Sequence, residues 1–259
     1  METNVLKAFA GDARRQLLSE VRARLDLVLA EGSTQRREFE PAIAKLESAI
    51  GDAGGGEVGR VAVVDRVAYT WFNRIIALRF MDANAYTGIG VVSPSVDRPD
   101  GQPEVLVDAK RGEFDADVVT SVDAQRITGL LSGSVTSSDP ESEAFGLLLA
   151  AYCRFWNRSM PFMFEQSSDY TELLMPSDLL SDESVIARAV AVLTPDVCAD
   201  VEVIGWLYQF YIAERKDEVF AGFKKGKKAG AAEIPAATQL FTPDWIVRYL
   251  VENSLGRLW

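Results

Sequence analysis

The sequence predicts a mainly α-helical protein built from many helices. Apolar residues recur at three- and four-residue spacing through several long segments, whereas no alternation of strand and helix appears that would build a parallel sheet. Glycine and proline gather in a few short stretches between those segments. With 259 residues, 48% of them hydrophobic, the chain is also long enough to bury a substantial core.

The first helical pattern covers residues 5–29. Leu17, Leu18, Val21, Leu25, Val28 and Leu29 form a broad apolar face, with Arg14, Arg15, Arg22 and Arg24 mostly elsewhere. Glu31-Gly32-Ser33 ends it, and a second helix is expected over residues 34–50. Gly51-Asp52-Ala53-Gly54-Gly55-Gly56 follows and reads as a flexible joint. Residues 58–83 are the densest apolar helix, with Val61, Val64, Ala68, Trp71, Ile75 and Leu78 on one stripe and Phe72, Ile76 and Phe80 beside it.

Residues 86–112 change character, because Gly88, Gly90, Pro94, Pro99, Gly101 and Pro103 interrupt regular structure; residues 89–92 form the one expected short strand. Helices resume over residues 118–131, 141–157 and 182–192, and a long one is expected over 201–223. Four sections result: an N-terminal helical subdomain (1–57), a helical core domain (58–223), a basic linker (224–240) and a final segment (241–259).

Composition excludes several chemistries. Histidine is absent, so Ser-His-Asp and Cys-His nucleophiles, imidazole acid–base catalysis and His-ligated metals are excluded from these residues. Cys153 and Cys198 stand alone, without C-x-x-C pairing, and read as buried inert thiols. Asp108, Glu113, Asp115 and Asp117 match no calcium-loop spacing and read as a solvated acidic loop. The glycines of residues 51–59 lack a preceding strand and the G-x-G-x-x-G order. The aromatics Trp206, Tyr208, Phe210 and Tyr211, and likewise Phe162-Met163-Phe164, read as core. No catalytic residue and no metal ligand is indicated. No long uncharged apolar run points to a membrane, and a cytoplasmic location is expected.

The net charge is −11, which opposes non-specific attraction to nucleic acid. The acid is unevenly placed: residues 81–200 hold 20 Asp/Glu against 7 Lys/Arg, residues 201–259 only 7 against 8. Lys224, Lys225, Lys227 and Lys228, interleaved with glycine, have the composition of a loop that follows a phosphate backbone, although composition alone favours a solvated surface loop over DNA contact. They are the candidate DNA contacts.

Gln239-Leu240-Phe241-Thr242-Pro243-Asp244-Trp245-Ile246-Val247 marks the start of a helix. Thr242 suits the N-cap, Pro243 the first helical position, and Asp244 the positive end of the dipole. Ile246, Val247, Leu250, Val251 and Leu255 then give this helix an apolar face that expects a core to pack on.

Tyr69-Thr70-Trp71-Phe72-Asn73-Arg74-Ile75-Ile76-Ala77-Leu78-Arg79-Phe80-Met81, Met160-Pro161-Phe162-Met163-Phe164-Glu165, and residues 204–223 and 234–259 together closely resemble the PglX family, the adenine-specific DNA methyltransferases of BREX phage-exclusion systems. The resemblance covers nearly the whole chain in order and is most specific over residues 204–259. It implies that residues 241–259 open an α/β, Rossmann-like methyltransferase domain that is cut short. It also implies that Phe241, Thr242 and Pro243 help hold the methionine end of S-adenosylmethionine, for which the free N–H groups of a helix start are suited. Double-stranded DNA, reached through the parent enzyme, and other proteins of the phage-exclusion system are the partners it implies.

The family's D-P-x-C-G-S-G type cofactor motif and its N-P-P-Y tetrad, which grips the flipped adenine, do not occur in these residues. The expectation is therefore an N-terminal portion of such an enzyme, unable to methylate DNA alone. A helical module that binds a partner protein of the defence complex, or the corresponding part of a related restriction-modification enzyme, is the alternative.

Overall fold

A computed structural model of the chain describes residues 3–98, 101–164, 169–224, 242 and 244–258. In chain order the helices are α1 (Thr3–Leu29), α2 (Thr34–Glu38), α3 (Glu40–Asp52), α4 (Gly56–Ala83), α5 (Glu104–Lys110), α6 (Ser121–Leu131), α7 (Pro140–Trp156), α8 (Tyr170–Leu173), α9 (Val185–Val192), α10 (Pro195–Cys198), α11 (Glu202–Tyr211), α12 (Ala213–Lys224) and α13 (Asp244–Leu258). Among the described residues there is no strand, and no helix is long and apolar enough to cross a membrane. The mainly α class is therefore as the periodicity predicts.

Contacts divide the chain into two compact units, Ala13–Thr194 and Met1–Asp12 with Pro195–Trp259.

In the unit Ala13–Thr194, α1 presents Ala13, Leu17, Val21, Leu25 and Val28, all fully buried, at the spacing of one helix face. Helix α3 packs on α4 and α8, α4 on α9, and α6 on α7, with α5 against both of the latter. Helix α4 buries residues around most of its circumference, including Trp71, Phe72, Ile75 and Leu78. Burial of each such side chain contributes about 1.5–3 kcal/mol, so α4 is the mechanical centre of this unit.

The polar side chains inside this core are tied to backbone carbonyls and hydroxyl groups. Trp71 Nε1 donates to the Thr171 carbonyl at 3.0 Å, and Arg74, stacked on the Trp71 ring at 5.0 Å, donates to Thr171 Oγ1 at 3.3 Å. Arg79 donates to the Leu193 carbonyl and to Ser93 Oγ, both at 2.8 Å. Arg24 of α1 reaches the Leu173 carbonyl at 3.0 Å, so the short helix α8 is gripped from α1 and α4. Such pairing is what permits an arginine as enclosed as Arg74, only 1% exposed.

Residues 51–56 form a tight corner and not a loose joint. Gly54 and Gly55 take φ of +107° and +67°, which only glycine adopts without strain, and the Gly55 N–H donates to the Ile50 carbonyl at 2.9 Å. Gly59 then lets α4 come against the end of α3: a Cβ there would lie 2.1 Å from the Ile50 carbonyl oxygen.

Three expectations are corrected. The strand over residues 89–92 is absent; Val91 and Val92 are buried, but the Val92 and Ser93 N–H groups donate to the Asp82 carboxylate at 2.9 and 3.1 Å instead of to a neighbouring strand. The helix over residues 34–50 is two, broken at Phe39, because Pro41 sits in the first turn of α3, where its missing N–H costs nothing. The helix over residues 201–223 is also two, separated at Ile212. Helix α5, inside the glycine- and proline-rich stretch, was not expected.

In the other unit, α11 buries Val203, Leu207 and Tyr211, and the Trp206 and Phe210 rings stack at 6.1 Å between centroids. Helix α12 packs on α11. Helix α13 is different: Trp245, Tyr249, Leu250 and Leu255 are between 58% and 69% exposed.

Candidate functional site

Of the residues expected to hold cofactor, Phe241 and Pro243 lie outside the described residues. Thr242 is exposed, just before α13. The first N–H of that helix, that of Asp244, donates to the carboxylate of Glu202 in the first turn of α11. A helix start that offers unpaired N–H groups to an anion is thus paired here with an anion of the chain itself. Of the expected DNA contacts, Lys224 is the last residue of α12 and is exposed, while Lys225, Lys227 and Lys228 lie outside the described residues.

The thiols behave as expected. Cys153 and Cys198 are free and buried, and burial pushes the Cys153 thiol up to about 12, which makes it a poor nucleophile at neutral pH. Of the aromatic triplet, Phe164 is fully buried as expected, but Phe162 is 83% exposed.

The acidic loop has a geometry that its sequence did not reveal. Asp108, Glu113 and Asp115 share with Phe114, Leu148 and Tyr152 the lining of a cavity of about 320 Å³. Helix α5 supplies Asp108, the loop after it supplies residues 113–115, and α7 supplies the floor. Residues 113–115 are set by a turn in which the Glu113 N–H donates to the Asp108 carbonyl and Asp115 Oδ1 accepts the Asp117 N–H at 2.9 Å. Asp108 Oδ1 also meets the exposed Arg111 guanidinium at 3.4 Å. Tyr152 is 5% exposed, and burial, followed by the fields of Asp115 and Asp108, raises its phenol to about 12. It is therefore a neutral hydroxyl at physiological pH. Among the described residues no group of three or more acids or cysteines is close enough to hold a metal ion.

Beside this cavity, Asp82 at the end of α4 accepts from Thr87 Oγ1 at 2.9 Å as well as from Val92 and Ser93. Burial nevertheless raises its carboxyl above the ordinary range. A second polar knot joins Arg154 of α7 to Asp123 at 2.9 Å and Glu172 at 3.1 Å, while Thr120 Oγ1 caps α6 by accepting from the Asp123 N–H at 3.2 Å. The first group fixes a loop to α4, and the second ties α6, α7 and α8 together.

No protein-family model matches the chain. Two relatives do. The chain is 34% identical to the adenine-specific methyltransferase PglX of Lacticaseibacillus casei (strain Zhang), over an alignment of 295 residues that takes in 100% of this chain and 23% of the relative. It is 39% identical over 203 residues to the adenine-specific methyltransferase BrxX of Escherichia coli O9:H4 (strain HS), covering 78% of this chain and 16% of the relative. The chain thus spans less than a quarter of the length of these curated relatives. Identity at this level, along the whole chain for PglX, shows that the chain belongs with the PglX/BrxX adenine-specific methyltransferases.

Proposed function

We propose that this chain serves as the helical N-terminal portion of an N6-adenine DNA methyltransferase that uses S-adenosylmethionine and takes part in phage defence. The observation that carries this reading is the relationship to PglX across the entire chain. A methyl transfer to the adenine amino group needs a cofactor pocket, a pocket for the flipped base and acceptors for the amine. The residues present supply at most the rim of the first, around Phe241, Thr242 and Pro243, so this chain by itself has no methylating activity.

The helical portion docks on the catalytic part of such a protein, and the exposed apolar side chains of α13 support that role, because contiguous exposed apolar surface marks an interaction face. Lys224, Lys225, Lys227 and Lys228 contribute phosphate contacts. Titration calorimetry of this chain with S-adenosylmethionine is expected to give no saturable heat; tight binding would overturn the incomplete-pocket reading. Changing the four lysines to glutamate is expected to abolish salt-sensitive retention on duplex DNA.

A second reading, a helical module for a partner protein, is favoured by the acidic balance of residues 81–200. Absence of DNA retention at low salt, together with capture of another protein of the defence system, would select it.

A further inference from the structure

We propose that the Glu202 carboxylate is an internal stand-in for a carboxylate ligand at the start of α13, and that S-adenosylmethionine reaches this helix start only by displacing it. The inference rests on the cofactor reading of residues 241–243 and adds to it a competitor carried by the chain itself.

A helix start ordinarily takes its cap from the residue just ahead of it. Thr242, which the sequence places there, makes no side-chain hydrogen bond among the described residues. The Asp244 N–H donates instead to Glu202, 42 positions earlier and on another helix of the same compact unit. Glu202 is itself set by the turn that opens α11: its N–H donates to Asp200 Oδ1 at 2.9 Å, and the Val203 N–H to the Asp200 carbonyl at 3.2 Å. Its carboxylate has no cationic partner among the described residues, so the positive end of α13 is what holds it.

The donor set decides the fit. The methionine end of the cofactor carries a carboxylate, which needs the N–H that Glu202 takes, and the Asp244 carboxylate stands in that same first turn. Arg248, the one lysine or arginine in the first two turns of α13, already pairs with Glu252 at 3.4 Å. As it stands, this helix start does not accept a second anion. Exchange is feasible because the contact is exposed and rests on one hydrogen bond from a long, flexible side chain. Glu202 thereby caps α13 while no ligand is present, and lowers the apparent affinity of any carboxylate that comes to replace it.

Amide-resolved NMR of this chain and of Glu202→Ala tests the exchange; alanine is a strong helix former and keeps α11 intact. Without ligand, Glu202→Ala is expected to move the Asp244 amide resonance, and Asp196→Asn on α10 to leave it in place. S-adenosylmethionine, L-methionine, acetate and methioninamide, which lacks the carboxylate, are then added to each chain. The weak Asp244 response to S-adenosylmethionine is expected to reach its midpoint at about two- to fivefold lower concentration in Glu202→Ala, the effect of one charge at a helix start. Methioninamide is expected to give no response in either chain. An unmoved Asp244 resonance, equal midpoints in the two chains, or no saturable Asp244 response to any carboxylate in Glu202→Ala would each overturn the proposal. If the Glu202→Ala midpoint falls for acetate and L-methionine but S-adenosylmethionine binds no more tightly than acetate, the exchange at Asp244 stands and the cofactor reading of residues 241–243 fails.

Discussion

Helices α4 and α13 carry comparable runs of aromatic and branched apolar residues at helical spacing, yet α4 buries nearly all of its run and α13 buries almost none. Trp71 of α4 is 0% exposed with its indole N–H bonded; Trp245 of α13 is 69% exposed. Periodicity therefore identifies a helix that can be buried, while the supply of partners decides whether it is. In α4 the partners include polar ones: Thr171, Leu193 and Ser93 accept from Trp71, Arg74 and Arg79, so even its charged residues have a place inside.

The largest expected effect comes from breaking the buried helix. Trp71→Ala should cost about 3–5 kcal/mol in urea unfolding, through the cavity and the orphaned Thr171 carbonyl. Gly59→Ala should cost about 1–3 kcal/mol, because the added Cβ meets backbone, not a flexible side chain, at the α3–α4 corner.

Asp82→Asn tests the end of the same helix through pH. In the folded state the Asp82 carboxyl titrates above its ordinary value, so its protonated form favours folding and that contribution is lost as pH rises through the raised value. The stability of the unsubstituted chain relative to the Asn variant is therefore expected to fall as pH rises through and above the ordinary carboxylate range. A difference that stays flat would show that the three hydrogen bonds offset the burial. The smallest effect belongs to α13: Leu250→Ser with Leu255→Ser should shift stability by no more than about 0.5 kcal/mol. A larger loss would mean that the two helices are less unlike than their exposures indicate.

Most of the helical architecture was legible because amphipathic period is a local property, and the run from Val63 to Leu78 needs no distant information to declare itself. What was not legible depended on distant groups. Residues 89–92 have the composition of a strand, but a carboxylate from the end of α4 takes the N–H groups that a neighbouring strand would have taken. The glycine run reads as loose, and only the approach of α4 to Ile50 turns it into a corner. Asp108, Glu113 and Asp115 read as a solvated loop, and Glu113 and Asp115 are exposed; what nothing near them in sequence announces is that Tyr152 and Leu148 line a cavity with them. The motif around Thr242 identified the family but gave no geometry for a site, and there the Glu202 carboxylate occupies the Asp244 N–H.

The grip on α8 also sets a clock. Arg24 and the Leu173 carbonyl are 149 residues apart, and Trp71 and Thr171 are 100 apart. At ribosomal speeds of about 5–20 residues per second, roughly 7–30 seconds separate the synthesis of Arg24 from that of its acceptor. The apolar face of α1 through that interval, and that of α4 for about 5–20 seconds of it, exist without α8 to fasten them, which makes the nascent chain, more than the finished fold, the stage that most needs a chaperone.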